Sequence, residues 1–369
     1  MAAAVSVYEQ RLSDFRAALE AEGLAGAVVS RPQHLFFFTG DLSVCSPSFL
    51  LVDSSHLLAV SPYPVKAVET VIYSDEDLYH GWQVNPPAAH ALEKALAQLG
   101  WVRHRIGLEL NHLPAVFLRS LSRSLGDPFD LEELLWSVRR IKDSGEIAQI
   151  QANISANDAA FQAIQASIRP GISELDLWAV IGQVLTDRAG EPVQLEADIG
   201  AGVRGSQASA RPGRSQLEHG EALFVDIYSA AHGYYADTTR VFSVGEPTPR
   251  QREIHALLEG ALAAGEAKLL PGIPARMVDA AVRNVIEQAG LGPYFTHDSG
   301  HGYGIFQREA PFLVAASADE LETGMVIAVE PGIYIPGWGG MRLESTYLIE
   351  NEGPRRLDCF PRDLIACLG

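Results

Sequence analysis

At 369 residues the chain exceeds what one ordinary hydrophobic core organises, so two domains, or three, are expected. Its 47% hydrophobic and 20% charged residues form an ordinary soluble globular composition, and a formal charge of -18 argues against nucleic acid and anionic membrane as partners, since both require a basic surface. The opening MAAAVSVYEQRL lacks a basic segment followed by an apolar run, and no apolar stretch of about 18 residues occurs later, so a cytoplasmic location is expected. Cys45, Cys359 and Cys367 are odd in number and lack C-x-x-C spacing, which argues against a disulfide framework and a thiolate zinc site. Any metal must be held by oxygen and imidazole.

Residues 8–22 read as an amphipathic helix, with Tyr8, Leu12, Phe15 and Leu19 on one stripe and Gly23 placed to end it. Strands are expected at Ala25–Val29, Phe36–Phe38, Ser48–Val52 and Leu57–Val60, the last two joined through Asp53-Ser54-Ser55. Helical periodicity returns over 88–99 and 114–125, around a short strand Ile106–Leu110. Alternating strands and helices predict an α/β domain over 1–138. Its histidines, His34, His56, His80, His90, His104 and His112, are scattered and read as surface or structural groups.

From residue 139 the organisation changes. A long helix keeps Ile147, Ile150, Ile154, Phe161 and Ile164 on one stripe, and the run IRPGISELDLWAVIGQVLTDRAG, 168–190, resembles LLPGIPARMVDAAVRNVIEQAG, 269–290. Both turn on Pro-Gly-Ile, start a second helix and end in Ala-Gly. The spacing predicts an internal duplication, each copy two helices followed by strands, folded about a pseudo-two-fold axis. The first copy supplies FVDIYSAAHGYYADTTRVF, 224–242, a predicted hairpin with Asp226 and Tyr228 on one face of its first strand and Asp237 and Thr239 on one face of its second. Facing carboxylates repel, and a divalent cation between them is the usual resolution; two solvated turn residues are the plainer alternative. The second copy supplies HDSGHGYG, with His297 and His301 among glycines, GMVIAVEPGIY, whose sole acid Glu330 ends an apolar strand, and GGMRLESTYLI, in which Arg342 and Glu344 share a face. A carboxylate in such a strand is costly unless paired.

The order D-x(10)-D, H-x-x-G-H-G-x-G, V-E-P-G-I-Y, R-x-E resembles the pita-bread metallopeptidase family, which includes methionine aminopeptidases, aminopeptidase P, prolidases and the metal-free creatinase. The likeness covers 139–369, while RPQHLFFFTG and SVRRIKDSGEIAQI in the N-terminal part are similar to the smaller domain of creatinases and Xaa-Pro peptidases. The resemblance implies an α+β pita-bread catalytic domain in which Asp226, Asp237, His301, Glu330 and Glu344 bind two divalent ions, Mn²⁺, Co²⁺ or Zn²⁺. It further implies that Glu330 is the general acid/base and that His297 and Arg342 lie near a leaving proline. Three positions depart from the family pattern. Ser209 stands where a P-H-Y-x-P histidine is usual, seventeen residues before Asp226. Arg308 stands where a V-H-E-x-P histidine is usual, and Tyr228 replaces a common glycine. A phenol and a guanidinium can serve as donors to a substrate carbonyl in place of two imidazoles. Alternatively Tyr228 fills space left by a lost ring and Arg308 points to solvent or pairs near Glu309.

The resulting expectation is a cytoplasmic two-metal hydrolase, a homodimer, acting on short peptides with proline at the second position, dipeptides first. Aminopeptidase P activity on longer peptides and hydrolysis of another C–N bond are the alternatives on the same scaffold. A catalytically silent metal-binding protein is the alternative of another class.

Overall fold

The computed structural model of the chain describes residues 6–44, 47–74, 86–121, 125–126 and 128–368. Cys45 and His80 lie outside them, as do residues 122–124 of the helix expected over 114–125. The chain divides into two compact units, Met1–Arg139 and Arg140–Gly369.

In the first unit the opening helix, Val7–Ala21, starts on a reciprocal cap in which Ser6 Oγ accepts from the Glu9 N–H and Glu9 accepts from the Ser6 N–H. Leu12, Phe15 and Leu19 carry its buried stripe. A six-stranded sheet runs in the order Glu69–Ile72, Leu57–Ser61, Phe49–Val52, Ala27–Val29, Gly107–Leu108, Phe129–Asp130. Phe36–Phe38 is not a strand. It lies in the helix Pro32–Thr39, which opens on Pro32 at its first turn and closes on Gly40 in the left-handed region (φ 69°). Residues 34–39 of that helix are all buried, so no polar face marks its period and a short apolar run reads equally as strand.

The second unit repeats one plan. The helices Ser144–Ser167 and Glu174–Ala189 precede the strands Gln194–Ala201, Ala222–Ala231 and Tyr234–Val244. The helices Pro249–Glu266 and Ala275–Gln288 precede the strands of the second half, of which Gly300–Gly302, Glu309–Phe312, Val326–Val329, Ser345–Glu350 and Gly353–Arg356 form one sheet. The corresponding Pro-Gly-Ile turns both need a left-handed glycine, Gly171 at φ 87° and Gly272 at φ 81°. Each is followed by an isolated bridge in the matching place, Ser173 to Gln216 and Pro274 to Glu320.

Each half has its own apolar core. Phe161, Ile164, Leu177, Ile181, Val225, Ile227 and Phe242 gather in one, and Leu258, Leu262, Val278, Val282, Ile327 and Val329 in the other. Phe224 and Val241 of the hairpin turn the opposite way from their neighbours, into the second core. The hairpin is therefore covered on both faces, and its polar residues Asp226, Asp237 and Thr239 are buried.

Candidate active site

Strand register builds the site. Residues directly opposite in an antiparallel pair share a face. Glu196, Tyr228 and Asp237 form one row across the three strands of the first half, and Asp198, Asp226 and Thr239 the next. Asp226 and Asp237 are thus diagonal neighbours, with backbones on the order of 7–8 Å apart, a separation that suits an ion between the two carboxylates.

The second half brings the remaining groups. Glu344 follows the strand Gly339–Arg342; its Oε2 accepts from Thr239 Oγ1 at 2.9 Å and its carbonyl accepts from the buried Arg240 at 2.6 Å. Ligand oxygens of Asp226, Asp237 and Glu344, all buried, lie within 4.8 Å of one another. His301 sits on the strand Gly300–Gly302, where a Cβ at residue 300 would fall 2.0 Å from the Ala328 carbonyl, so only glycine lets the strands approach. His301 Nδ1 donates to the Gly302 carbonyl at 3.0 Å, which turns Nε2 toward Glu330 at 3.5 Å and Asp237 at 3.9 Å. Glu330 ends the strand Val326–Val329, anchored by its N–H to the Ser299 carbonyl at 2.9 Å. Glu330 Oε1 and Asp226 Oδ1 are buried carboxylate oxygens with no hydrogen-bond partner among the described residues.

Around this centre stand the other predicted residues. His297 donates from Nδ1 to the Asp298 carbonyl at 2.7 Å and accepts at Nε2 from Tyr334 Oη at 2.9 Å, a contact that fits only because residue 332 has no Cβ. Burial and then the Arg342 charge push His297 down to about 3, so its ring is neutral. Arg342 is buried, with Nη2 at 2.5 Å from Asp226 and 3.5 Å from Asp198 and Nη1 donating to the Ala208 carbonyl at 3.0 Å. Arg308 is 41% exposed, pairs with Asp298 and holds Nη1 at 3.9 Å from Glu330 Oε1. It turns to the site and not to Glu309, whose carboxylate Lys142 takes at 3.2 Å. Tyr228 is half-buried and Ser209 exposed, and both line the cavity, about 310 Å³, that the carboxylates floor. The Tyr228 hydroxyl makes no hydrogen bond among the described residues.

The sequence reading missed four groups here. Gln307 Nε2 donates to Asp237 Oδ2 at 2.8 Å and fixes that carboxylate. Asp298 carries Arg308, while Asp198 and Glu196 extend the acidic face. Period-2 alternation in QLEADIGA was the signal for the last two.

Burial, and then repulsion from neighbouring carboxylates, hold Asp237 and Glu344 well above the usual carboxylate range. The same two causes push Asp198 up to about 6. Arg342 and Arg308 face more carboxylates than they can neutralise, and two buried oxygens stay unpartnered. An oxygen-rich set with one oriented imidazole, packed this closely, fits a divalent cation.

A two-helix-plus-strands repeat closing on a buried carboxylate and histidine centre defines a metallohydrolase architecture. Residues 148–351 match the model of metallopeptidase family M24, and residues 11–141 match that of the creatinase/prolidase N-terminal domain. The chain belongs to the M24 metallopeptidases, a hydrolase family, as the ordered motifs led one to expect. It is 28% identical over 93% of its length to an uncharacterised peptidase, YqhT, of Bacillus subtilis, covering 96% of that protein. It is 31% identical to the Xaa-Pro dipeptidase of Pyrococcus horikoshii over 70% of this chain and 74% of that one. Among solved structures, recombinant prolidase from Thermococcus sibiricus superposes with a TM-score of 0.88 at 25% identity, over 98% of this chain and 99% of that one. No helix among the described residues is long and apolar enough to cross a membrane.

Proposed function

We propose that the protein is a two-metal Xaa-Pro dipeptidase. The observation that carries this reading is the pair of unpartnered buried oxygens, Asp226 Oδ1 and Glu330 Oε1, within a carboxylate and histidine centre that floors an open cavity. Asp226, Asp237, His301, Glu330 and Glu344 would hold the ions. Bound there, divalent ions supply Lewis-acid activation of the scissile carbonyl and of water. Glu330 Oε1 takes the proton of the attacking water and returns it to the proline nitrogen as the C–N bond breaks. That nitrogen carries no N–H, so the leaving residue is gripped by its ring and carboxylate, for which His297 and Arg308 beside Glu330 supply the wall and positive charge, while Arg342, held against Asp226 and Asp198, stands between the two sides. Tyr228, with a free hydroxyl, and Ser209 are donors to the acyl side. The Xaa-Pro dipeptidase relative supports the substrate class. Turnover of Ala-Pro by the metal-reconstituted protein, with Ala-Pro-Ala and Ala-Ala poor substrates, is the expected result. Faster cleavage of Ala-Pro-Ala would make it an aminopeptidase P, and cleavage of none of the three would reject the reading.

Arg308→Ala tests the departure from the family pattern. Its guanidinium offers positive charge beside Glu330. Because it is 41% exposed, water screens it, and kcat/KM on Ala-Pro is expected to fall about tenfold, less than the ~10²–10³ of an enclosed oxyanion donor. Activity within about twofold of the parent, at saturating metal, would remove Arg308 from the site.

A further inference from the structure

Among the described carboxylates that line the cavity, Glu196 and Asp198 have no part in the proposed reaction. Asp198, the neighbour of Glu196 on the same face, has Arg342 at 3.5 Å. Glu196 is exposed and has no ion pair or side-chain hydrogen bond among the described residues. Its place is fixed by register: it lies opposite Tyr228, which lies opposite Asp237. Two strand spacings of about 4.8 Å therefore separate its backbone from that of Asp237, or ~10 Å, with Tyr228 on the strand between.

We infer that Glu196 and the Tyr228 ring form a subsite for the cationic side chain of an N-terminal lysine or arginine in the substrate. The inference rests on the dipeptidase reading above and deepens it. The cavity it shares with Glu196 has two buried, unpartnered oxygens at its floor, Asp226 Oδ1 and Glu330 Oε1, which mark where the scissile group binds. Glu330, His297 and Arg308 cluster together, and Glu330 serves the leaving nitrogen, so the acyl residue lies on the far side, toward the strand Gln194–Ala201. The α-ammonium of that residue is two bonds from the carbonyl carbon, too close to the centre to reach Glu196. An extended lysine side chain carries its ammonium on the order of 8 Å from the same carbon, which matches the row. Its stem would lie along the Tyr228 ring, and a cation over a phenol face is attracted in its own right.

The test compares kcat/KM for Lys-Pro, Arg-Pro, Leu-Pro and Glu-Pro in the metal-loaded parent, Glu196→Gln and Glu196→Lys. Parent enzyme is expected to favour Lys-Pro and Arg-Pro over Leu-Pro by about three- to fivefold, the scale of an exposed ion pair, and to handle Glu-Pro worst. In Glu196→Gln the ratio of Lys-Pro to Leu-Pro falls to about one, and in Glu196→Lys the order inverts in favour of Glu-Pro; added salt erodes the preference only in the parent and the inverted variant. A ratio unchanged by either substitution, with Leu-Pro turned over normally by the parent, overturns the subsite and leaves the dipeptidase reading intact. Failure of the parent on all four dipeptides rejects both.

Discussion

Glu330→Gln is expected to lower kcat on Ala-Pro by about 10²- to 10⁴-fold, the range of general acid/base contributions. The amide keeps the shape and one ligand oxygen but can neither take a proton from water nor deliver one to nitrogen. In the metal-free site burial pushes the Glu330 carboxyl up to about 8; the Arg342 charge opposes that, and the Asp298 and Asp226 carboxylates add to it. A bound cation would favour its ionised form, so in the loaded enzyme Glu330 would stand ready to accept a proton. His297 and His301, held neutral at low values by burial, are poorer candidates for the same proton. Because Glu330 is also a proposed ligand, elemental analysis must accompany the kinetics. A variant that retains two ions per chain and turns over Ala-Pro at near-parent rate would move the base elsewhere.

The centre was legible in the sequence because its carboxylates interrupt strands that are otherwise apolar: Asp226 in FVDIY, Glu330 in MVIAVE and Glu344 in RLEST each stand where only a paired charge is affordable. The duplication was legible because both copies need a left-handed glycine at the same turn. Asp198 and Glu196 went unread although QLEADIGA alternates, because their strand leads straight into a short helical turn and an irregular segment, so no adjoining turn and second strand marked it as part of a hairpin. Gln307 lies on a bend and Asp298 in the irregular segment before the strand Gly300–Gly302, where side-chain directions follow from tertiary contacts alone. The same limit explains Phe36–Phe38, where complete burial erased the contrast between helix and strand.

Metal removal should destabilise the protein, and more so at neutral than at acidic pH. Asp237 and Glu344 are buried among like charges, and both carboxyls are held well above the usual range without metal. A carboxylate whose folded-state value exceeds its unfolded value, about 4, binds more protons when folded, so stability is lost as pH rises from the unfolded value toward the folded one. Bound cations reverse the sign, since they favour the ionised oxygens and compete with protons for them. At pH 7.5, chelation therefore exposes the full repulsion and also removes the binding contribution, which at a hundredfold excess over Kd is about 2.7 kcal/mol per site. For a unit of this size that corresponds to a fall in Tm of about 5–10 °C per site. At pH 5, where protons already neutralise part of the cluster, the difference between loaded and stripped protein should shrink. Thermal melts at both pH values, with metal content measured on each sample, test this. Stripped and loaded protein melting together at pH 7.5 would mean that the carboxylates have another partner, and would withdraw the ligand assignment with it.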